Sequence, residues 1–210
     1  MSEKKLSKTA LNILQVSTQM FADHGYEGTI MDNLAEQAGV NKASIYYHFK
    51  DKEHLYEVCL TQQFQVLVDH VIADVEAVND TTQKLTQLIL SFAKKADEMP
   101  EVPSILMREL ASGGVNMPVP AREQLQRILF KLKEILDRGV NEGVFNAIDP
   151  FSTHIMIIGS ICFFVTSKPM RDAIKASTQL DPKLEEAMGS VADIILNGML
   201  KSPIKTGNKI

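Results

Sequence analysis

Tryptophan is missing from this 210-residue chain, and cysteine occurs only twice, at Cys59 and Cys162. The two thiols lie far apart in sequence and form no CxxC or Cys/His pattern, which argues against a disulfide framework or a zinc site. His24, His54, His70 and His154 also lack the spacing of metal ligands on one element. Neither a metal nor a cofactor is expected. Long apolar runs are missing too: the stretch Ile155 to Val165 is too short to cross a bilayer and suits a buried core helix. The N-terminal MSEKKLSKTALN has no apolar centre of the kind a signal peptide needs. These absences lead to the expectation of a cytoplasmic protein with no membrane partner. An excess of positive charge is absent as well. The net charge is −4 and the pI about 5.8, so no global field draws the chain to nucleic acid, although a local cationic face suffices for a site-specific reader. No nucleophile–base pair, paired carboxylates or phosphate-cradling glycine loop can be assembled, and Gly113-Gly114 reads as a connection between helices. The chain is not expected to be an enzyme.

What is present is helical periodicity. At 45% hydrophobic and 23% charged, the chain is long enough for one helical body plus a small appended domain. Leu6, Ala10, Ile13, Leu14, Met20 and Phe21 recur at three- and four-residue steps, which predicts an amphipathic helix from about Ser7 to Asp23. Gly25 stops it in the left-handed conformation. Thr29 with Asp32 reads as a Thr-x-x-Asp capping box opening a helix from Ile30 to Gln37. Gly39 ends that helix, Asn41 caps the next, and Ile45 with Phe49 form its buried pair. Asp51 caps a long fourth helix running from Lys52 toward Asn79. Further helices are expected over Thr81–Glu98, Ser104–Ser112, Ala121–Asn141, Pro150–Ser167 and Pro182–Leu200, each bounded by proline, glycine or a capping residue. The tail from Lys201 to Ile210 is expected to be disordered.

Two short helices meeting at a glycine turn, ahead of a polar and aromatic segment, are the layout of a helix-turn-helix. On its second helix, Ile45 and Phe49 face the core, leaving Lys42, Ala43, Ser44, Tyr46, Tyr47 and His48 around the outside. Adjacent exposed tyrosines suit packing on sugars and thymine methyls, with hydroxyls reaching phosphate or base edges. Lys42, Lys50 and Lys52 supply a local cationic face beside Asp51. Thr29 and Lys52 each stand at a helix start, where backbone N–H groups favour phosphate.

The segment AGVNKASIYYHFKDK, with Gly25-Tyr26, Thr29, Leu34-Ala35 and Leu55 around it, resembles the DNA-binding domain of the tetracycline-repressor-like (TetR) family of bacterial regulators. The resemblance covers roughly residues 8 to 60. It implies an all-α fold in which an N-terminal three-helix helix-turn-helix domain is joined by a long fourth helix to a helical ligand-binding and dimerisation domain. The expected divisions are residues 6–66, residues 67–200 and the tail. Family contact positions fall on Thr29, Lys42, Ala43, Ser44, Tyr46, Tyr47, His48 and Lys52. Ile30 stands where many relatives carry a second small hydroxyl residue, which removes one expected phosphate contact. The resemblance further implies a homodimer joined through the last two long helices, a double-stranded DNA operator as partner, and a small-molecule effector whose binding tilts the fourth helix. Composition together with family habit suggests an apolar effector cavity formed by Phe64, Met107, Leu110, Phe130, Met156 and Phe163. Arg108 and Glu109 in SILMREL form either a polar anchor in that cavity or a solvated or interdomain pair. The function expected is a ligand-responsive transcriptional repressor, released from a palindromic operator by a hydrophobic or amphipathic molecule. The rival is a helical adaptor that uses the same face to bind a protein.

Overall fold

The computed structural model describes residues 6–201, which fold into ten helices. Helix α1 (Lys8–Gly28) opens at Ser7, whose hydroxyl accepts from the Ala10 N–H, and is interrupted at Gly25, where φ is 71°. Only glycine adopts that conformation without steric cost. Helix α2 (Met31–Gln37) and helix α3 (Lys42–His48) have seven residues each, too short to persist alone in water. Tertiary anchors hold them. Leu34, Ile45 and Phe49 are fully buried in the core that also holds Ile13 and Phe21 of α1, and each such side chain stabilises the domain by about 1.5–3 kcal/mol. The turn between them is tied down by the Asn12 side chain, which donates to the Ala38 carbonyl at 2.7 Å. Asn41 caps α3 as expected, accepting from the Ser44 N–H at 2.7 Å.

Helix α4 (Lys52–Glu76), capped by Asp51, leaves this small domain and becomes the spine of the larger one, packing on α5 (Thr81–Glu98) and α7 (Val119–Asn141). Helix α6 (Glu101–Ala111) lies across α1, α8 (Pro150–Thr166) and α10 (Leu184–Met199) close the body, and α9 (Lys168–Thr178) leaves the end of α8 at 72°. Among the described residues, no single helix is long and apolar enough to cross a membrane. The end of α7 is locked by a close approach: a Cβ on Gly139 would lie 1.9 Å from the Phe145 ring.

Several boundaries differ from expectation for one reason. Pro103 and Pro169 read as limits in the sequence, yet α6 begins at Glu101 and α9 at Lys168, with the prolines inside their first turns. A first-turn proline lacks only an N–H that has no partner there, and its φ is already helical. Helix α9 has no counterpart among the expected helices. The expected disordered tail lies, apart from Lys201, outside the described residues.

Candidate nucleic-acid interface

Burial divides α3 into two faces. Ile45 is fully enclosed, whereas Tyr46 is exposed and Tyr47 is 85% exposed. The Tyr47 ring stands edge-on to that of its neighbour His48, with centroids 5.0 Å apart. Ala43 is exposed, and Ser44 and His48 are half-buried at the flanks. A helix with both hydroxylated rings in water, held from behind by hydrocarbon, presents a rigid surface for a groove.

The cationic groups are less free than the sequence suggests. Lys42 pairs with Asp32 at 2.9 Å, and that hydrogen bond holds the ammonium pKa above its ordinary value. Asp32, read as half of a capping box, is therefore a partner of the recognition helix. Lys52 lies over the Tyr26 ring, 4.5 Å from its centroid, with the Glu27 carbonyl at 3.5 Å. Partial burial lowers the Lys52 pKa.

Thr29 departs from expectation. No capping box forms: Ile30 occupies the cap of α2 and makes no side-chain bond there. Thr29 is 1% exposed, and its hydroxyl is directed at the carbonyls of Gly25 (2.8 Å) and Met20 (3.3 Å). The break at Gly25 leaves carbonyls without helical partners, and Thr29 satisfies them. In this arrangement its hydroxyl proton is committed within the protein.

The expected effector cavity is not assembled from its six residues. Phe64 is core, Met107 is partly buried against the core, and Phe130, Met156 and Phe163 are exposed. Helical phase explains Phe130: Ile128 and Leu132 take the buried face of α7 on either side of it. Of the six, only Leu110 lines the apolar cavity of about 250 Å³ between α5, α6, α7 and α8, which has Phe92, Leu106, Leu125, Ile128 and Ile158 in its walls. His154 also lines it, and burial lowers the imidazole pKa.

Two adjacent residues of α6 bind this body to the DNA-facing domain. Arg108 donates to the Ala22 carbonyl at 2.7 Å and to that of Asp23 at 2.5 Å, capping α1 just before its break. Glu109 is buried and accepts the Tyr56 hydroxyl at 2.6 Å. Burial and that carboxyl push the Tyr56 phenol pKa well up, so the phenol is the donor. The Tyr56 ring packs on Phe21 at 4.6 Å and on Tyr26 at 5.0 Å. Lys52, Tyr26, Tyr56 and Glu109 thus form one continuous stack from the DNA-facing side into the body. The SILMREL segment marks Arg108 and Glu109 as an interdomain pair or an anchor, and both reach across domains, but to separate partners. Their partners lie 86 and 53 residues away in sequence, beyond the reach of local pattern.

Comparison with known proteins agrees with this architecture. Residues 13–59 match the family profile for bacterial regulatory proteins of the tetR family, and residues 82–195 match the tetracyclin repressor-like C-terminal domain. The chain belongs to the TetR family: it is a helix-turn-helix transcriptional regulator. Among its relatives is the HTH-type transcriptional regulator RutR of Escherichia coli, 24% identical over 191 residues that cover 89% of this chain and 88% of that one. Similar solved folds include the ketosteroid transcriptional regulator KstR2 of Mycobacterium tuberculosis, with a TM-score of 0.74 and 18% identity over 94% of this chain and 98% of that one. FadR of Bacillus subtilis in complex with stearoyl-CoA has a TM-score of 0.72 and 22% identity, covering 90% and 98%.

Proposed function

We propose that this protein is an effector-responsive repressor that binds a palindromic operator as a homodimer in the cytoplasm and has no catalytic activity. The observation that carries the reading is the outer face of α3, where Tyr46 and Tyr47 stand in solvent on a helix fixed by Ile45 and Phe49. Ala43, Ser44, Tyr46, Tyr47 and Lys42 read the half-site, with Lys42 exchanging its Asp32 carboxylate for DNA. His48 and Lys52 hold register on the backbone, as phosphate contacts do. Thr29 supports the site by closing the α1 break, a role that differs from the direct contact expected of it.

Dimerisation through α8 and α10 sets the spacing of the two recognition helices at about 34–36 Å, one turn of B-DNA. Support comes from an exposed apolar face: Met156 and Phe163 on α8 and Ile194 on α10, with Phe151 and Ile155 of α8, which also line the apolar cavity. Gly159, also exposed, has open space where a Cβ would stand and lets a second helix approach closely. Effector entry between α6 and α8 displaces α6, and Arg108 and Glu109 pass the shift to α1 and α4.

The direct test is a mobility shift with DNA from immediately upstream of the protein's own gene, with unrelated DNA as competitor. A discrete complex that survives the competitor is expected. Retention that is only nonspecific and disappears with salt would favour the adaptor reading.

A further inference from the structure

We infer that the effector is an apolar molecule ending in a hydrogen-bond-donating head, an amine in its strongest form, and that Glu109 is the residue that receives this head. The inference rests on the effector-responsive reading and assigns that site a chemical class. Glu109 is 4% exposed. One carboxyl oxygen, Oε1, accepts the Tyr56 hydroxyl, while Oε2 is buried with no hydrogen-bond partner. Buried acceptors are nearly always satisfied, and one that is not marks a place where a donor is missing. The backbone of Glu109 is not the open group, because its carbonyl already takes the Gly114 N–H at 2.7 Å and the Ser112 hydroxyl at 3.0 Å.

The surroundings supply the space. Glu109 lines a cavity of about 250 Å³ at the α6–α7 connection, together with Gly113, Gly114 and Met117. Leu106, Leu110 and Leu125 line both this cavity and the apolar one of similar size between α5, α6, α7 and α8. One elongated molecule that displaces the Leu110 side chain, itself largely exposed, occupies both: hydrocarbon among Phe92, Ile128 and Ile158, head at Glu109. Joined, the two spaces fall in the range of roughly 300–1,000 Å³ usual for small-molecule sites. Arg122 is the other charged residue of the smaller cavity. It is exposed, and its guanidinium donates to the Met117 carbonyl at 3.2 Å. The enclosed charge-bearing group is therefore an acceptor, which favours a donor head and disfavours a carboxylate.

The position also accounts for response. A head bound at Oε2 lies on the same carboxyl that holds Tyr56 of α4, one residue from Arg108 on the end of α1. Binding there bears on both contacts between the body and the DNA-facing domain.

The test uses the full-length protein and three probes that share one alkyl chain: decylamine, decanol and decanoate. Binding is measured by calorimetry and thermal shift without DNA, so a failure of operator binding does not affect the result. Decylamine is expected to bind at least about tenfold more tightly than decanoate, because a buried polar group discriminates strongly against a ligand that leaves it unpaired. Decanol is expected between them. Glu109→Gln should remove most of this preference. Tyr56→Phe should keep or increase it, since both carboxyl oxygens then lack a side-chain donor from the protein; a purely structural role for Glu109 would make the two variants behave alike. Equal binding of amine and acid by the unmodified protein overturns the inference, whether or not either variant folds. So does tighter binding of decanoate that is lost in Arg122→Ala.

Discussion

Aromatic side chains stand in water at both ends of this molecule, but they are of different kinds. The DNA-facing end exposes Tyr46 and Tyr47, and the far end exposes Phe151, Ile155 and Phe163 on α8 and Ile194 on α10. A phenol ring keeps one polar atom for a wet, charged partner, and burying it there leaves nothing unsatisfied. A phenyl ring gains only by leaving water, which suits a dry contact with a second copy of the same face. The same contrast appears in what holds the rings. The tyrosines sit on a seven-residue helix pinned by two buried side chains, whereas the phenylalanines project from a seventeen-residue helix that is part of the body. On the function proposed above, the first end reads a surface and the second extends one.

Replacing hydrocarbon with charge at the far end should break this comparison most severely. Phe163 is 58% exposed and Ile194 68% exposed in a single copy, so Phe163→Asp or Ile194→Asp should leave the fold of one chain intact. If the face is a dimer seam, each change should cost about 2–4 kcal/mol of association, or roughly 30- to 1,000-fold in the dimer dissociation constant. Sedimentation at micromolar concentration would show monomers, and specific operator binding would fall with it. A variant that still sediments as a dimer would remove α8 and α10 from the interface.

At the other end the expected loss is smaller and confined to DNA. Tyr47→Ala should weaken operator binding by about 1–3 kcal/mol and relax the base preference, while the melting temperature stays unchanged because the side chain is 85% exposed. Tyr47→Phe sharpens the point: retained affinity would make the ring the reader, and a loss equal to that of alanine would make the hydroxyl the reader. No change in either variant would remove Tyr47 from the contact set.

How far these ends are legible in the sequence differs for a physical reason. The helix-turn-helix is readable because its determinants are local: Asn41 caps within three residues, and Ile45 and Phe49 are one turn apart. Its polar refinements are not, since the Asp32–Lys42 pair crosses from one helix to the next and the Thr29 hydroxyl depends on the break at Gly25. The cavity is hardly legible. Phe64, Phe130, Met156 and Phe163 are apolar residues on helices, but whether such a residue faces core, cavity or partner is decided by helical phase and by which neighbours arrive. Glu109 acquires its meaning only when Tyr56 is brought to it by packing.

The Asp32–Lys42 pair allows a subtler probe of the DNA end. Lys42→Ala should weaken operator binding by about 1–3 kcal/mol and relax the base preference at the position it reads. Asp32→Ala should act in the opposite direction, because the lysine no longer has a carboxylate competing with the operator for it. A measured log–log salt plot in which Asp32→Ala also weakens binding would show that the carboxylate positions the lysine and does not compete for it.

The smallest effect belongs to the far end, where His154 lines the apolar cavity. Burial disfavours the imidazolium and holds its pKa below the ordinary 6.5. As pH falls, the unfolded chain takes up this proton first, so the folded state loses stability between about 6.5 and the depressed folded value. Above that window the group is neutral in both states and contributes no slope. Denaturant titrations of the unmodified protein and of His154→Gln should therefore run parallel at pH 7.5 and above, and diverge below 6.5, with the variant less sensitive to acid. Identical acid sensitivity would mean that the imidazole is solvated when charged, and that the cavity opens readily enough to admit water.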